Sequence, residues 1–160
     1  MTTTTKTAPV TIRLAAPEHL PEVHRMLIAL AAHQHEDPTI TPDALRRIAL
    51  QGPGARLLVA TLDNSPVRHP VGYALMMLKT DMLSGKHGYE IVQLFVQSPL
   101  RRQGIGRALI DGAKVLANNE GRARLVLGSH PANESAQLMV AALGLSALPV
   151  AAPQYEVALA

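Results

Sequence analysis

Three arginines, Arg101, Arg102 and Arg107, stand around two glycines, Gly104 and Gly106, and this spacing is the chain's clearest chemical signal. The apolar run Leu94-Phe95-Val96 before them is rich in β-formers and stops at Ser98-Pro99, as a strand stops at a turn. After them the apolar positions Ile105, Ala108, Leu109, Ala113 and Leu116 recur with helical period. The order is strand, basic loop, helix. A helix start offers unpaired backbone N–H groups and the positive end of the macrodipole, and glycines let a bulky anion approach them. Arginines at that end add positive charge to positive charge, a conflict that a bound polyanion resolves. A glycine turn with solvated arginines is the plainer alternative. The dinucleotide fingerprint is excluded, because its third glycine falls on Leu109, and the sequence contains no Gly-x-x-x-x-Gly-Lys-Ser/Thr loop.

The run His33-Gln34-His35-Glu36-Asp37-Pro38 has metal-ligating residue types. His33 and His35 are two apart, which separates them on a helix, and no distant partner pair is evident. It reads as a polar helix end before Pro38, with no metal expected.

The elements that position these residues follow in chain order. Residues 1–9 read as a flexible tail and 10–160 as a single domain. Val10–Leu14 alternates as a first strand. Pro17 opens a helix with its buried stripe at Leu20, Val23, Leu27 and Leu30, leaving His24 and Arg25 solvated. Thr41-Pro42-Asp43 starts a second helix, expected to reach Gln51. Strands Arg56–Leu62 and Val71–Leu78 form an antiparallel hairpin. Asp81–Gly88 reads as a loop and Tyr89–Val96 as the central strand. Arg124–Leu127 is a further strand, parallel to the central one across the intervening helix. Asn133–Leu145 reads as a helix closed by Gly144, and Gln154–Leu159 as a last strand at the sheet's end.

The loop resembles the acyl-CoA loop of the GNAT acetyltransferase superfamily, Arg/Gln-x-x-Gly-x-Gly/Ala after the fourth strand, with Arg101, Gly104 and Gly106 at the matching positions. A second signature, Asn-x-x-Ala-x-x-x-Tyr-x-x-x-Gly-Phe, is matched at Asn133, Ala136 and Gly144, while Val140 and Leu145 stand at its aromatic positions. The likeness covers about Val10 to Leu159. A weaker one, to polyamine-type acetyltransferases, rests on the helix from Thr41 and on Val71-Gly72-Tyr73-Ala74.

The resemblance implies an α/β (α+β) fold with a mixed, mostly antiparallel central sheet and flanking helices. A parallel strand pair, splayed at Leu94–Val96 and Leu125–Gly128, would hold the acyl-CoA. The implied chemistry is transfer of an acetyl group from acetyl-CoA to a primary amine of a small molecule or peptide. Leu94, Phe95, Val96, Arg101, Arg102, Gln103, Gly104, Ile105, Gly106, Arg107 and Asn133 would bind the cosubstrate. Backbone amides from Arg102 to Arg107 would take the pyrophosphate, and an N–H near Phe95 would polarise the thioester carbonyl.

Many relatives carry acids where Val92 and Gln93 stand. Glu90, expected on the face of Val92 by alternation, is the best remaining base, followed by His87 and His130. With Val140 at the usual acid tyrosine, Tyr155 is the substitute. Glu36 and Asp37, in the loop that often lines the acceptor site, would attract a cationic amine. The missing acid and base favour one alternative, a non-catalytic acyl-CoA-binding sensor or interaction domain.

Composition sets the outer limits. With 48% apolar and 17% charged residues, the 160-residue chain is of globular type. It has no cysteine, which excludes disulfides, thiolate metal sites and a thiol nucleophile and suits a cytoplasmic protein. The +3 charge favours anionic partners, but one Phe, three Tyr and no Trp give little for stacking bases, so no nucleic acid is expected. Met1–Thr7 has no apolar core and no run is long enough to span a bilayer, so neither a leader nor a membrane is expected. The oligomeric state stays open, a homodimer being common in the family.

Overall fold

The computed structural model describes residues 9–65, 68–128, 141, 148 and 154–159. Strand β1 (Val10–Leu14) leads through a 3-10 turn at Pro17–His19 into helix α1 (Leu20–His33). Helix α2 (Pro42–Arg46) begins at Thr41, whose side-chain oxygen accepts from the Ala44 amide at 3.2 Å, and continues as one π-helical turn, Arg47–Gln51. Strands β2 (Ala55–Leu62), β3 (Pro70–Asp81) and β4 (Lys86–Val96) follow, then helix α3 (Ile105–Asn119) and strand β5 (Arg124–Leu127).

The sheet runs in chain order, β1 to β5. The first four strands are antiparallel neighbours, and β5 lies parallel to β4. Helices cover both faces. Leu20, Val23, Leu27 and Leu30 of α1, with Leu45, pack on Leu57, Val59, Tyr73, Leu75 and Phe95. On the other face Ile105, Leu109, Ile110 and Ala113 of α3 pack on Leu58, Ala60, Ala74, Met76 and Ile91. Both faces of β2 are therefore covered, which is why Leu57 to Ala60 is a continuous apolar run rather than an alternation. Where α3 crosses β1 the helix comes so close that a Cβ on Gly112 would lie 2.6 Å from Ile12 Cγ2.

Two expectations are corrected. The loop read over Asp81–Gly88 is a tight turn only, Met82–Gly85, and Lys86, His87 and Gly88 belong to β4. The Asp81 carboxylate holds the turn by accepting from the Leu83 amide at 3.0 Å and the Ser84 hydroxyl at 2.7 Å, and Gly85 takes the left-handed φ of 69°. Residues 154–159 form no strand: Tyr155, Val157 and Leu159 are 91%, 77% and 89% exposed, with no sheet neighbour among the described residues to bury their apolar side. The helix expected over Asn133–Leu145 lies outside the described residues apart from Ala141.

Candidate functional site

The central strand changes phase at Val92. Register pairs run Met76 with Ile91 but Leu75 with Gln93, so Val92 is an extra, bulged residue. Before the bulge Tyr89 and Ile91 face α3; after it Leu94 and Val96 do. Glu90 shares the α1 face with Gln93 and Phe95, which unbroken alternation would have put on the opposite face from it.

The described β4–β5 pairing ends at the bulge, and Leu125 to Leu127, expected on the splayed side, is instead paired with β4. Pairing covers Gly88 to Ile91 against Arg124 to Leu127, closed by the Gly128 amide donating to the Ile91 carbonyl at 3.1 Å. Beyond it, the Gln97 amide donates to Val71 across the β3 side at 2.9 Å. Antiparallel alternation then turns the N–H groups of Leu94 and Val96 the other way, to an edge that no described strand covers. On that edge the Val96 carbonyl accepts from Arg101 Nε at 2.8 Å. The Phe95 side chain is buried under this arginine, whose guanidinium lies 5.2 Å from the ring centroid, so Phe95 reaches the open edge only through its backbone neighbours.

The loop after Ser98–Leu100 is built to expose amides. Arg102 and Gly104 both take left-handed backbone, at φ 61° and 82°. Gly104 caps α3 without any side-chain cap, and its carbonyl receives the Ala108 amide at 3.0 Å. The amides of Ile105, Gly106 and Arg107 have no acceptor among the described residues. Those three groups, the dipole behind them and Arg102, Gln103 and Arg107 beside them suit a phosphate-bearing ligand.

On the α1 face, a cleft of about 250 Å³ is lined by Leu27, Leu30, Ala31 and Gln34 of α1 and its end, by Glu36 to Ile40, and by Gln93. Glu36 and Asp37 thus share a wall with a β4 residue two positions from Phe95. The loop is held by His24, whose Nε2 lies 2.9 Å from the Ile40 carbonyl, so this histidine is structural rather than solvated. Gln93 is held from beneath, its Oε1 accepting from the buried Tyr73 hydroxyl at 3.2 Å. Neither Tyr73 nor His24 could be singled out from the sequence, because both contacts depend on how distant elements pack.

The proton-transfer candidates are dispersed. Glu90 is paired through Oε2 with Lys79 Nζ at 2.8 Å, while its Oε1 points towards Gly128, where a Cβ would approach to 3.3 Å. His87 sits in the outer half of the β3–β4 hairpin, with Nδ1 2.9 Å from Thr80 Oγ1. Tyr155 is exposed, and His130 and Asn133 lie outside the described residues. Among the described residues, no group of three His, Asp or Glu side chains is placed to hold a metal ion, and no helix is long and apolar enough to cross a membrane.

The acetyltransferase (GNAT) family model matches residues 21–145. This chain belongs to the GNAT family. Its members are acetyl-CoA-dependent N-acetyltransferases, and the strand–loop–helix at 94–107 is the segment that carried the resemblance. No curated protein matches the sequence. Solved structures share the fold at low identity. An aminoglycoside acetyltransferase from an uncultured soil metagenomic sample, in complex with sisomicin, superposes with a TM-score of 0.76 at 20% identity, over 94% of this chain and 97% of that one. A ribosomal-protein-alanine N-acetyltransferase from Brucella melitensis gives 0.74 at 20% identity, over 94% and 99%. AAC(6')-Iy, in complex with the bisubstrate analogue CoA-S-monomethyl-acetylneamine, gives 0.73 at 20%, over 93% and 99%. The GNAT chain thus has the expected mixed sheet, with one parallel pair among the described residues, at β4 and β5.

Proposed function

We propose that this GNAT protein transfers the acetyl group of acetyl-CoA to a primary amine of a small molecule or peptide, by direct attack of the amine. One observation carries the reading: the β4 edge and the α3 amides that have no partner among the described residues, and the acidic cleft, lie at the same end of β4. The Ile105, Gly106 and Arg107 amides would hold the pyrophosphate, with Arg102, Gln103 and Arg107 supplying charge and Asn133 a further polar group. The N–H groups of Leu94 and Val96 suit the amide-bearing arm, and one of them suits the thioester oxygen. Acetyl-CoA supplies an activated acyl group, so the chain itself needs to bind, orient and move protons. Glu36 and Asp37 would draw in the cationic amine. Glu90 is the candidate to take its proton through water, with His130 and Tyr155 as the other candidate proton carriers. Holding the amine beside the thioester supplies much of the rate even where acid and base are weak.

The Glu90–Lys79 ion pair and the exposure of Tyr155 favour the second reading, an acyl-CoA-binding sensor without turnover. Release of free CoA thiol separates the two. In a chain without cysteine a thiol reagent reports product alone. Amine-dependent release from a panel of polyamines, amino acids, aminoglycosides and peptides is the expected result. Silence across the panel, with acetyl-CoA still raising Tm, would establish the sensor.

A further inference from the structure

We propose that Gln93, oriented by Tyr73, is a specificity-determining residue. It selects amines that carry a hydrogen-bond-accepting oxygen close to the nitrogen, an amino alcohol of sugar type or an α-amino amide, over plain alkylamines. This rests on the acetyltransferase reading above.

The bulge at Val92 brings Gln93 to the α1 face, where it lines the cleft with Leu27, Leu30, Gln34 and Asp37. Beneath it Tyr73 is 1% exposed, and the Gln93 amide is the only partner of its hydroxyl among the described residues. That burial fixes the sense of the hydrogen bond. A buried hydroxyl must donate, so the acceptor end of the amide, Oε1, turns down to Tyr73. The reverse orientation would strand the hydroxyl hydrogen without an acceptor. Burial also pushes the Tyr73 pKa above the usual phenol range, so the hydroxyl stays a donor through the neutral range.

With Oε1 turned down to Tyr73, the Nε2 donors are the end of the Gln93 amide left for the cleft. The cleft therefore has two unlike poles: carboxylates at Glu36 and Asp37 for a cationic group, and a fixed donor at Gln93 for an oxygen. A plain alkylamine satisfies the first and leaves the second unpaired. Sites that hydrogen-bond a substrate oxygen reject the analogue lacking it, because their own polar group is then stranded.

The test uses the full chain, acetyl-CoA and two matched amine pairs, D-glucosamine with cyclohexylamine and glycinamide with ethylamine. The quantity read is the ratio of kcat/KM within each pair, compared between wild type and variants, so that differences in amine basicity cancel. Gln93→Leu is expected to lower the ratio about tenfold in at least one pair, through the amine KM and without change in the KM for acetyl-CoA. The pair affected identifies the source of the oxygen. Tyr73→Phe, which keeps the packed ring and frees the amide to rotate, should produce part of the same fall. Gln93→Met, which keeps an unbranched side chain of similar length and offers no donor, should reproduce the fall and keeps the test open should the leucine variant fold poorly.

Ratios within twofold of wild type in these variants would overturn the inference. So would an absence of release from both pairs by a protein that acetyl-CoA stabilises, although cofactor binding would then stand. No release and no thermal shift would instead overturn the acetyltransferase reading itself.

Discussion

Arg101 Nε donates to the Val96 carbonyl across 2.8 Å, and the same guanidinium covers the Phe95 ring. The first arginine of the loop is thereby tied to the strand end it follows. Arg101→Met keeps the apolar stem and loses the tie. It is expected to weaken acetyl-CoA binding about tenfold, while Arg107→Met, whose side chain has no partner among the described residues, loses only a screened charge and about threefold. Calorimetric titration at two salt concentrations distinguishes them, since only the Arg107 effect should shrink in high salt.

Gly104→Asp and Gly106→Asp test the anion cradle directly. Each adds a carboxylate where phosphate charge would sit, and the first also forces a side chain onto a φ of 82°. Both should abolish the rise in Tm that acetyl-CoA produces. Unchanged affinity in both variants would remove the loop from the binding site.

Glu90→Gln addresses the base. A positioned general base contributes about 10²–10⁴-fold, so kcat should fall by at least about a hundredfold with acetyl-CoA affinity retained. A kcat within twofold of wild type would leave Glu90 only its ion pair with Lys79.

The contact between α3 and β1 leaves no room at Gly112. Alanine there sets a Cβ 2.6 Å from Ile12 Cγ2 and should cost about 1–3 kcal/mol by overpacking. Ile12→Ala alone should also destabilise, yet the double variant should recover part of the loss. Additive losses in urea unfolding would show that the two positions are not coupled.

Two groups should make the protein less stable in acid. Burial lowers the His19 pKa, and its Nδ1 accepts from the Ala16 amide at 2.9 Å, so the fold prefers the neutral ring. The Tyr89 hydroxyl, which donates to Oε2, and Arg56, whose Nε donates to Oε1 at 2.8 Å, hold the Glu120 carboxylate below its usual range. In both cases the folded pKa lies below the unfolded one. Their stabilisation is full above the unfolded pKa and is lost as pH falls through the folded pKa. Stability should therefore decline first below about pH 6.5 and again below about pH 4.3. His19→Asn should flatten the first decline. Glu120→Gln should flatten the second and cost about 1–2 kcal/mol at neutral pH, read as the pH dependence of the urea midpoint.

The periodic elements were legible in sequence because local signals fix them. The Leu20, Val23, Leu27 and Leu30 stripe, the Thr41 cap and the strand–loop–helix around Gly104 all appear where expected. The phase change at Val92 was not legible. It exists only in the register between β3 and β4, and the residues Ile91 to Leu94 fit either phase. Alternation alone puts Gln93 on the opposite face from Glu90, so its place in the cleft follows only from the bulge. The roles of His24 and Tyr73 escaped for a related reason, since each is defined by a partner 16 or 20 residues away. Asp81–Gly88 misled because glycines and polar residues also suit the outer rungs of an exposed hairpin.

The bulge has a consequence for cooperativity. Ten residues of β4 are paired in register with β3, and Val92 divides them into six rungs next to the turn and four beyond it. The proximal rungs lie between two neighbours, since Gly88 to Ile91 are also paired with β5, whereas among the described residues the distal rungs are held on one side only. Opening the distal rungs breaks fewer bonds and stops at a natural seam. Hydrogen exchange should find the β3-facing amides of Phe95 and Gln97 protected by less than global unfolding energy, and those of Tyr89 and Ile91 protected by nearly all of it. The rungs free to breathe are those beside which a ligand would have to thread.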